Sequence, residues 1–265
     1  MTALLIEKNG PVVILTINRP EVRNILGEPG DGALFADAAA AINGDPAIRC
    51  AILTGAGPVF SAGGNIKAMQ EKSGLFAGTP EEITAAYKRD IHGVVQALWS
   101  IEVPLISAVN GAAIGLGNDV ACLADIRVAA ETAVFSVPFL KLGLVPGDGG
   151  SWLLPRVIGY ARAAELFFTG DTLDATTAMR WGIVSRVVPS AVLMEEVRGL
   201  AVSIARLPPG VLRQTKALMR QGMTADFATV MQASAEAQGH AHASSDHAEA
   251  LAAFFDKRPA VFRGS

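Results

Sequence analysis

Short apolar runs that alternate with helix-like stretches predict an α/β protein built on a layered, largely parallel sheet, followed by an all-helical C-terminal region. Three observations carry this. Strand-like runs recur at 4–6, 12–17, 50–54, 103–109, 127–130 and 184–188. Segments of helical spacing lie between them, clearest at Ile83, Tyr87, Ile91, Val94, Val95 and Leu98. After Val188-Pro189 only helical patterns follow, at 190–206, 209–222, 224–238 and 245–255. That seam divides the chain into a 1–188 core and a 189–265 helical region.

The first two runs flank Asn9-Gly10-Pro11 and read as a hairpin, and Asn18-Arg19-Pro20 breaks the second strand. Residues 31–43 are alanine-rich and end at Asn43-Gly44, which predicts a helix with a glycine stop. The run at 50–54, Cys-Ala-Ile-Leu-Thr, reads as a buried strand; a glycine segment follows it. Residues 81–100 form a long helix, and the strand at 103–109 leads into a second glycine segment.

Composition narrows the function. With 51% hydrophobic and 18% charged residues in 265, the chain can bury a sizeable core and is not a disordered segment. A net charge of −3 and a pI near 5.8 argue against a nucleic-acid binder, so any anionic ligand needs locally placed cations. Cys50 and Cys122 sit in apolar runs and read as buried thiols, with no disulfide or zinc framework. The start of the chain lacks signal-peptide character, and no apolar run approaches the ~20 residues of a membrane helix. The expectation is a soluble, cytoplasmic protein.

The glycine segments carry the chemistry. They are Phe60-Ser61-Ala62-Gly63-Gly64-Asn65-Ile66-Lys67, and residues 109–119 with Gly115-Leu116-Gly117 at their centre. Each follows a strand-like run and leads into a possible helix start, where backbone amides are unpaired. Two such amides converging on one point make an oxyanion hole. Gly64 and Leu116 are the candidate donors. The plain alternatives are a strand-to-helix turn and helix packing through small residues. A dinucleotide loop is disfavoured, because Val120 stands where that fingerprint needs glycine or alanine.

Asp119 lies about one helical turn past Leu116 and is a candidate general base or acid; alternatively it caps its helix or pairs with a cation. Asp148 precedes Gly149-Gly150 and is most simply a carboxylate facing the N-terminus of the next helix, with catalysis as the sharper alternative. His240, His242 and His247 lie in a polar helical stretch without metal-site spacing, and no Gly-x-Ser-x-Gly elbow is present.

Taken together, 60–67, 109–119 and 142–150 resemble, in order and spacing, the enoyl-CoA hydratase/isomerase (crotonase) family. Thr169-Gly170, the stretch 181–189 and the ending 253–258 agree, so the resemblance spans essentially the whole chain. It implies a spiral-like core of ββα units, with C-terminal helices that build homotrimers, often paired into hexamers. It implies an acyl-CoA thioester as substrate and no metal or redox cofactor. The amides of Gly64 and Leu116 would hold the thioester oxygen. Ala62, Asn65, Ile66, Lys67 and Phe139 would border the substrate, and Arg19 and Arg23 would meet the nucleotide end of CoA. Phe254 and Lys257 would reach the adenine region of a neighbouring subunit.

The chain departs from that pattern at the catalytic carboxylates. The family's best-known hydratases use two glutamates, and here Asp119 replaces one and Phe139 the other. Phenylalanine cannot transfer a proton or hold a water. Three readings follow: a hydratase-like lyase using Asp119 with help from Asp148 or a water, an isomerase with Asp119 as single proton shuttle, and a non-catalytic acyl-CoA binder. The first is the nominal assignment, because the whole-chain match lies there. Residues 68–80, including Met69, Leu75 and Phe76, are expected to line the acyl pocket.

Overall fold

The computed structural model describes residues 2–264; Met1 and Ser265, the outermost residues of the two predicted regions, lie outside it. In chain order the elements are β1 (Leu4–Asn9), β2 (Val12–Ile17), α1 (Asp31–Gly44), β3 (Cys50–Gly55), α2 (Ile66–Glu71), α3 (Pro80–Ser100), β4 (Leu105–Val109), β5 (Ala113–Ile114) and α4 (Leu116–Cys122). There follow β6 (Ile126–Ala130), β7 (Val134–Ser136), α5 (Gly150–Ile158), α6 (Tyr160–Thr169), β8 (Thr172–Asp174), α7 (Ala175–Trp181) and β9 (Arg186–Val188). The chain ends in α8 (Leu193–Ala205), α9 (Pro209–Gln221), α10 (Phe227–Ala243) and α11 (Ser245–Asp256).

Six strands form one sheet in the order β1-β2-β3-β4-β6-β9. The hairpin β1–β2 is antiparallel, with Asn9 opposite Val12 around Gly10-Pro11, and every other pair is parallel. β3 and β4 are buried along their whole length, as their unbroken apolar runs require of strands covered on both faces. One face packs on α1 and α3 through Phe35, Leu53, Ile91 and Leu98. The other packs on α8 through Ile52, Val128, Val197 and Ala201. The helical region therefore does not begin outside the core: the layering continues past residue 188, because the sheet needs α8 to cover its second face.

A second sheet, β5-β7-β8, was not foreseen. Its strands are two or three residues long, too short to show an alternating pattern. α9 is tied down by the buried Lys216, whose ammonium meets Asp125 Oδ2 at 2.6 Å and Val103 O at 2.8 Å. α10 has no buried residue, and Phe227, Phe254 and Phe255 stand largely exposed on α10 and α11. No helix among the described residues is long and apolar enough to cross a membrane.

Candidate active site

The two glycine segments are stitched together. Ser61 and Ala113 form a parallel bridge, with Ser61 N–H donating to Ala112 O at 3.0 Å and Ile114 N–H to Ser61 O at 3.0 Å. Asn110 ties the ends of both strands, donating to Gly55 O at 2.9 Å and Gly57 O at 2.8 Å. The contact is too close for side chains. A Cβ on Gly63 would lie 2.4 Å from Ile114 O, and one on Gly117 2.3 Å from Ser61 O. Gly63 also has φ +82° and Gly115 φ +54°, both in the left-handed region that glycine occupies without strain.

This geometry leaves Gly64 and Leu116 beside each other on the wall of one cavity of about 770 Å³, shared with Ala62, Ile66, Phe139 and Asp148. Neither the Gly64 nor the Leu116 amide donates a hydrogen bond to any described protein group. Of the segment predicted to line the pocket, Met69 and Phe76 do so, whereas Leu75 is buried in the main core.

Asp148 does not play the part of a helix carboxylate. α5 begins two residues later, its N-cap Gly149 has no side chain with which to cap it, and Asp148 instead accepts a hydrogen bond from the Tyr87 hydroxyl on α3. One turn further along α3, His92 Nε2 donates to Gly147 O at 2.8 Å, which fixes the loop from the same helix. Asp148 is 3% exposed. Burial pushes its pKa up, against the opposing effects of the Tyr87 bond and of His92. Burial and the Asp148 charge also push the Tyr87 hydroxyl up, so it stays a donor. Tyr87 and His92 went unrecognised in the sequence because both sit in a helical pattern that reads as packing.

Asp119 occupies a different place from the expected one. It lines a second chamber of about 480 Å³, with Trp99, Leu123, Trp152 and Asp148, and not the cavity that holds the two amides. Asp148 belongs to both walls. Asp119 is 1% exposed, and its pKa is raised to about 8 by burial first and by the Asp148 charge second. Asn118 Nδ2 meets its Oδ1 at 3.3 Å and the Gly150 backbone N–H also favours the charged form, while Oδ2 makes no hydrogen bond of ordinary geometry to the protein. Gly150 is pressed against it: a Cβ there would lie 2.3 Å from Oδ2.

Arg19 is not available as a CoA cation. Its guanidinium grips the buried Asp31 in a two-pronged pair at 2.6 and 2.7 Å and donates to Ile25 O at 3.1 Å, which braces the loop beneath the first glycine segment. Arg23 is exposed and makes no ion pair among the described residues. Lys67 is exposed, 3.8 Å from Glu71. Asn65 caps α2 by accepting from Ala68 N–H at 3.0 Å and donates to Glu28. Phe254 and Lys257 lie on the surface, away from both cavities. No cluster of three metal-ligating side chains occurs among the described residues.

The family described as enoyl-CoA hydratase/isomerase matches residues 7–265. A crotonyl-CoA hydratase from Syntrophomonas wolfei is 37% identical over 261 residues, covering 98% of this chain and 97% of its own length. A 1,2-epoxyphenylacetyl-CoA isomerase from Escherichia coli is 35% identical over 253 residues, covering 96% and 95%. A crystal structure of an enoyl-CoA hydratase from Bacillus anthracis superposes with a TM-score of 0.93 at 30% identity, covering 100% of both chains. The fold is therefore that of the crotonases, and the chain belongs to the enoyl-CoA hydratase/isomerase family.

Proposed function

We propose that the chain shifts a double bond in an enoyl-CoA, with Asp148 moving the proton. The observation that carries this is the pairing, on one cavity, of two amides without protein acceptors and one buried carboxylate. The thioester oxygen sits between Gly64 N–H and Leu116 N–H. Asp148 removes a proton from the carbon next to the carbonyl, and the electron pair delocalises onto that oxygen. The same carboxyl then returns the proton to the far end of the dienolate, so no atom is gained or lost. Each amide is worth roughly 3–4 kcal/mol of barrier. The Tyr87 hydroxyl orients Asp148. Phe139 gives the wall an apolar patch where a second carboxylate would otherwise hold water.

Hydration of a 2-enoyl-CoA is the second reading. What favours it is that Asp119 and Asp148 share the second chamber, where the raised pKa of Asp119 makes it the proton donor of a pair. Relatives named as hydratases and as an isomerase are both close in identity. Exposed Arg23 and Lys67 serve the CoA phosphates. Phe254 and Lys257 complete a neighbour's site in a homotrimer or a hexamer. The chemistry needs no cofactor.

Purified enzyme given 3-enoyl-CoA and 2-enoyl-CoA in separate assays separates the readings. Turnover of the 3-enoyl substrate alone, abolished by Asp148→Ala, is the expected result. Water addition to the 2-enoyl substrate, lost in both Asp148→Ala and Asp119→Ala, establishes the hydratase. Tight binding without turnover of either makes the chain a binder.

A further inference from the structure

The second chamber is larger than its chemistry needs. About 480 Å³ lies behind Asp148, against roughly 30 Å³ for one water in the liquid. Its walls are aromatic and fixed. Trp99 and Trp152 meet edge to face with centroids 5.6 Å apart. Arg220, itself part of the wall, stacks on Trp99 at 4.1 Å, and Arg156 stacks on Trp152 at 4.2 Å, so each indole is held by a guanidinium. Leu123 and Leu153 supply apolar surface. Among these walls two buried polar atoms have no hydrogen-bond partner in the protein: Arg220 Nη2, which faces Asp125 at 3.7 Å, and Asp119 Oδ2, in a residue 1% exposed. Buried polar atoms are almost always paired, so a partner from a bound molecule accounts for Asp119 Oδ2.

We propose that this chamber seats the far end of the acyl group, and that this end is a flat ring carrying an oxygen: an aromatic or alicyclic acyl-CoA with a hydroxyl or oxo substituent. The inference rests on the placement of the thioester at Gly64 and Leu116. Asp148 is the lining residue the two cavities share, and the proposed route takes the acyl chain from the thioester past this carboxylate into the second chamber. The ring lies against Trp99 and Trp152, and its oxygen meets Asp119. A carboxyl that keeps its proton both donates and accepts, so it serves a hydroxyl or a carbonyl. In this arrangement Asp119 selects the substrate, and Asp148 acts on it.

Titration calorimetry with three saturated thioesters, which cannot turn over, tests this: butanoyl-CoA, 3-phenylpropanoyl-CoA and 3-(4-hydroxyphenyl)propanoyl-CoA. The phenyl compound is expected to bind about tenfold more tightly than butanoyl-CoA through ring contacts. The hydroxyl is expected to add about fivefold, the net worth of one hydrogen bond. Trp152→Ala, and independently Gln96→Trp at an exposed position on the chamber wall, should collapse the phenyl-to-butanoyl ratio. Asp119→Ala should erase only the hydroxyl increment. Thermal melts of each variant check that it is folded. If butanoyl-CoA binds and the ring compounds bind no better, or the variants weaken all three ligands alike, the chamber is not a ring site. If none of the three binds, the acyl-CoA reading fails with it.

Discussion

Asp148 is held by a hydroxyl from another helix, walled by two cavities, and kept out of water, which are the circumstances that let a carboxylate serve as a base near neutral pH. Asp148→Asn should lower kcat by about 10²–10⁴-fold while leaving the affinity for a saturated acyl-CoA within a few-fold. An equal loss in affinity would assign it to binding. Asp119 makes a prediction about stability. Its folded pKa, about 8, lies above the ordinary carboxylate value of 3.8, so the folded chain holds a proton that the unfolded chain releases. Stability from this group is therefore full below the unfolded value, falls as pH rises toward about 8, and is level above it. Asp119→Asn should melt higher than the parent, with a gap that widens from pH 5 to 8, by roughly 2–4 °C for each kcal/mol gained. A gap that stays constant with pH contradicts the assignment. Gly150→Ala pushes a methyl into the Asp119 carboxylate and should destabilise by about 1–3 kcal/mol, with part of the loss recovered in the Asp119→Ala background.

At the scale of elements, the two loops that leave the Gly64 and Leu116 amides without protein acceptors on one cavity were legible in the sequence, because glycines clustered after apolar runs announce a turn whose backbone is exposed. What the sequence hid was direction. Three residues of helix bring a side chain back to nearly the same face, but an amide at the helix start points along the axis and a side chain points away from it, so helical spacing does not fix whether the Asp119 carboxylate and the Leu116 amide open on one cavity. Asp119 meets the chamber behind the site. Asp148 was hidden differently, since its partner Tyr87 lies on α3, 61 residues earlier in the chain. Gly63→Ala tests how the loops are joined. It forces a Cβ to within 2.4 Å of Ile114 O at φ +82°, so it should separate the amides, cut kcat/KM by at least tenfold and lower the melting temperature. A variant with unchanged kinetics would remove the loop contact from the mechanism.

For the whole molecule, the long helices and the all-helical ending were readable because each rests on ten or more residues of pattern, and the main strands because their apolar runs are five or six residues long, while the order of those strands was not readable and the second sheet rests on strands of two or three residues. The place of α8 was not readable. An amphipathic helix shows that it has an apolar face, but not that the face closes the back of a sheet formed by earlier strands. Phe227, Phe254 and Phe255 stand exposed on α10 and α11, and the proposed trimer would cover them. Sedimentation should give a trimer or hexamer, and Phe227→Asp should shift it toward monomer; a monomeric parent would remove the shared-site role of Phe254 and Lys257. The most direct test of the central claim is a crystal structure with butanoyl-CoA bound. The thioester oxygen should lie about 3 Å from both Gly64 N and Leu116 N, with the adjacent carbon facing Asp148. A carbonyl bound elsewhere, or reached by only one of the two amides, would contradict it.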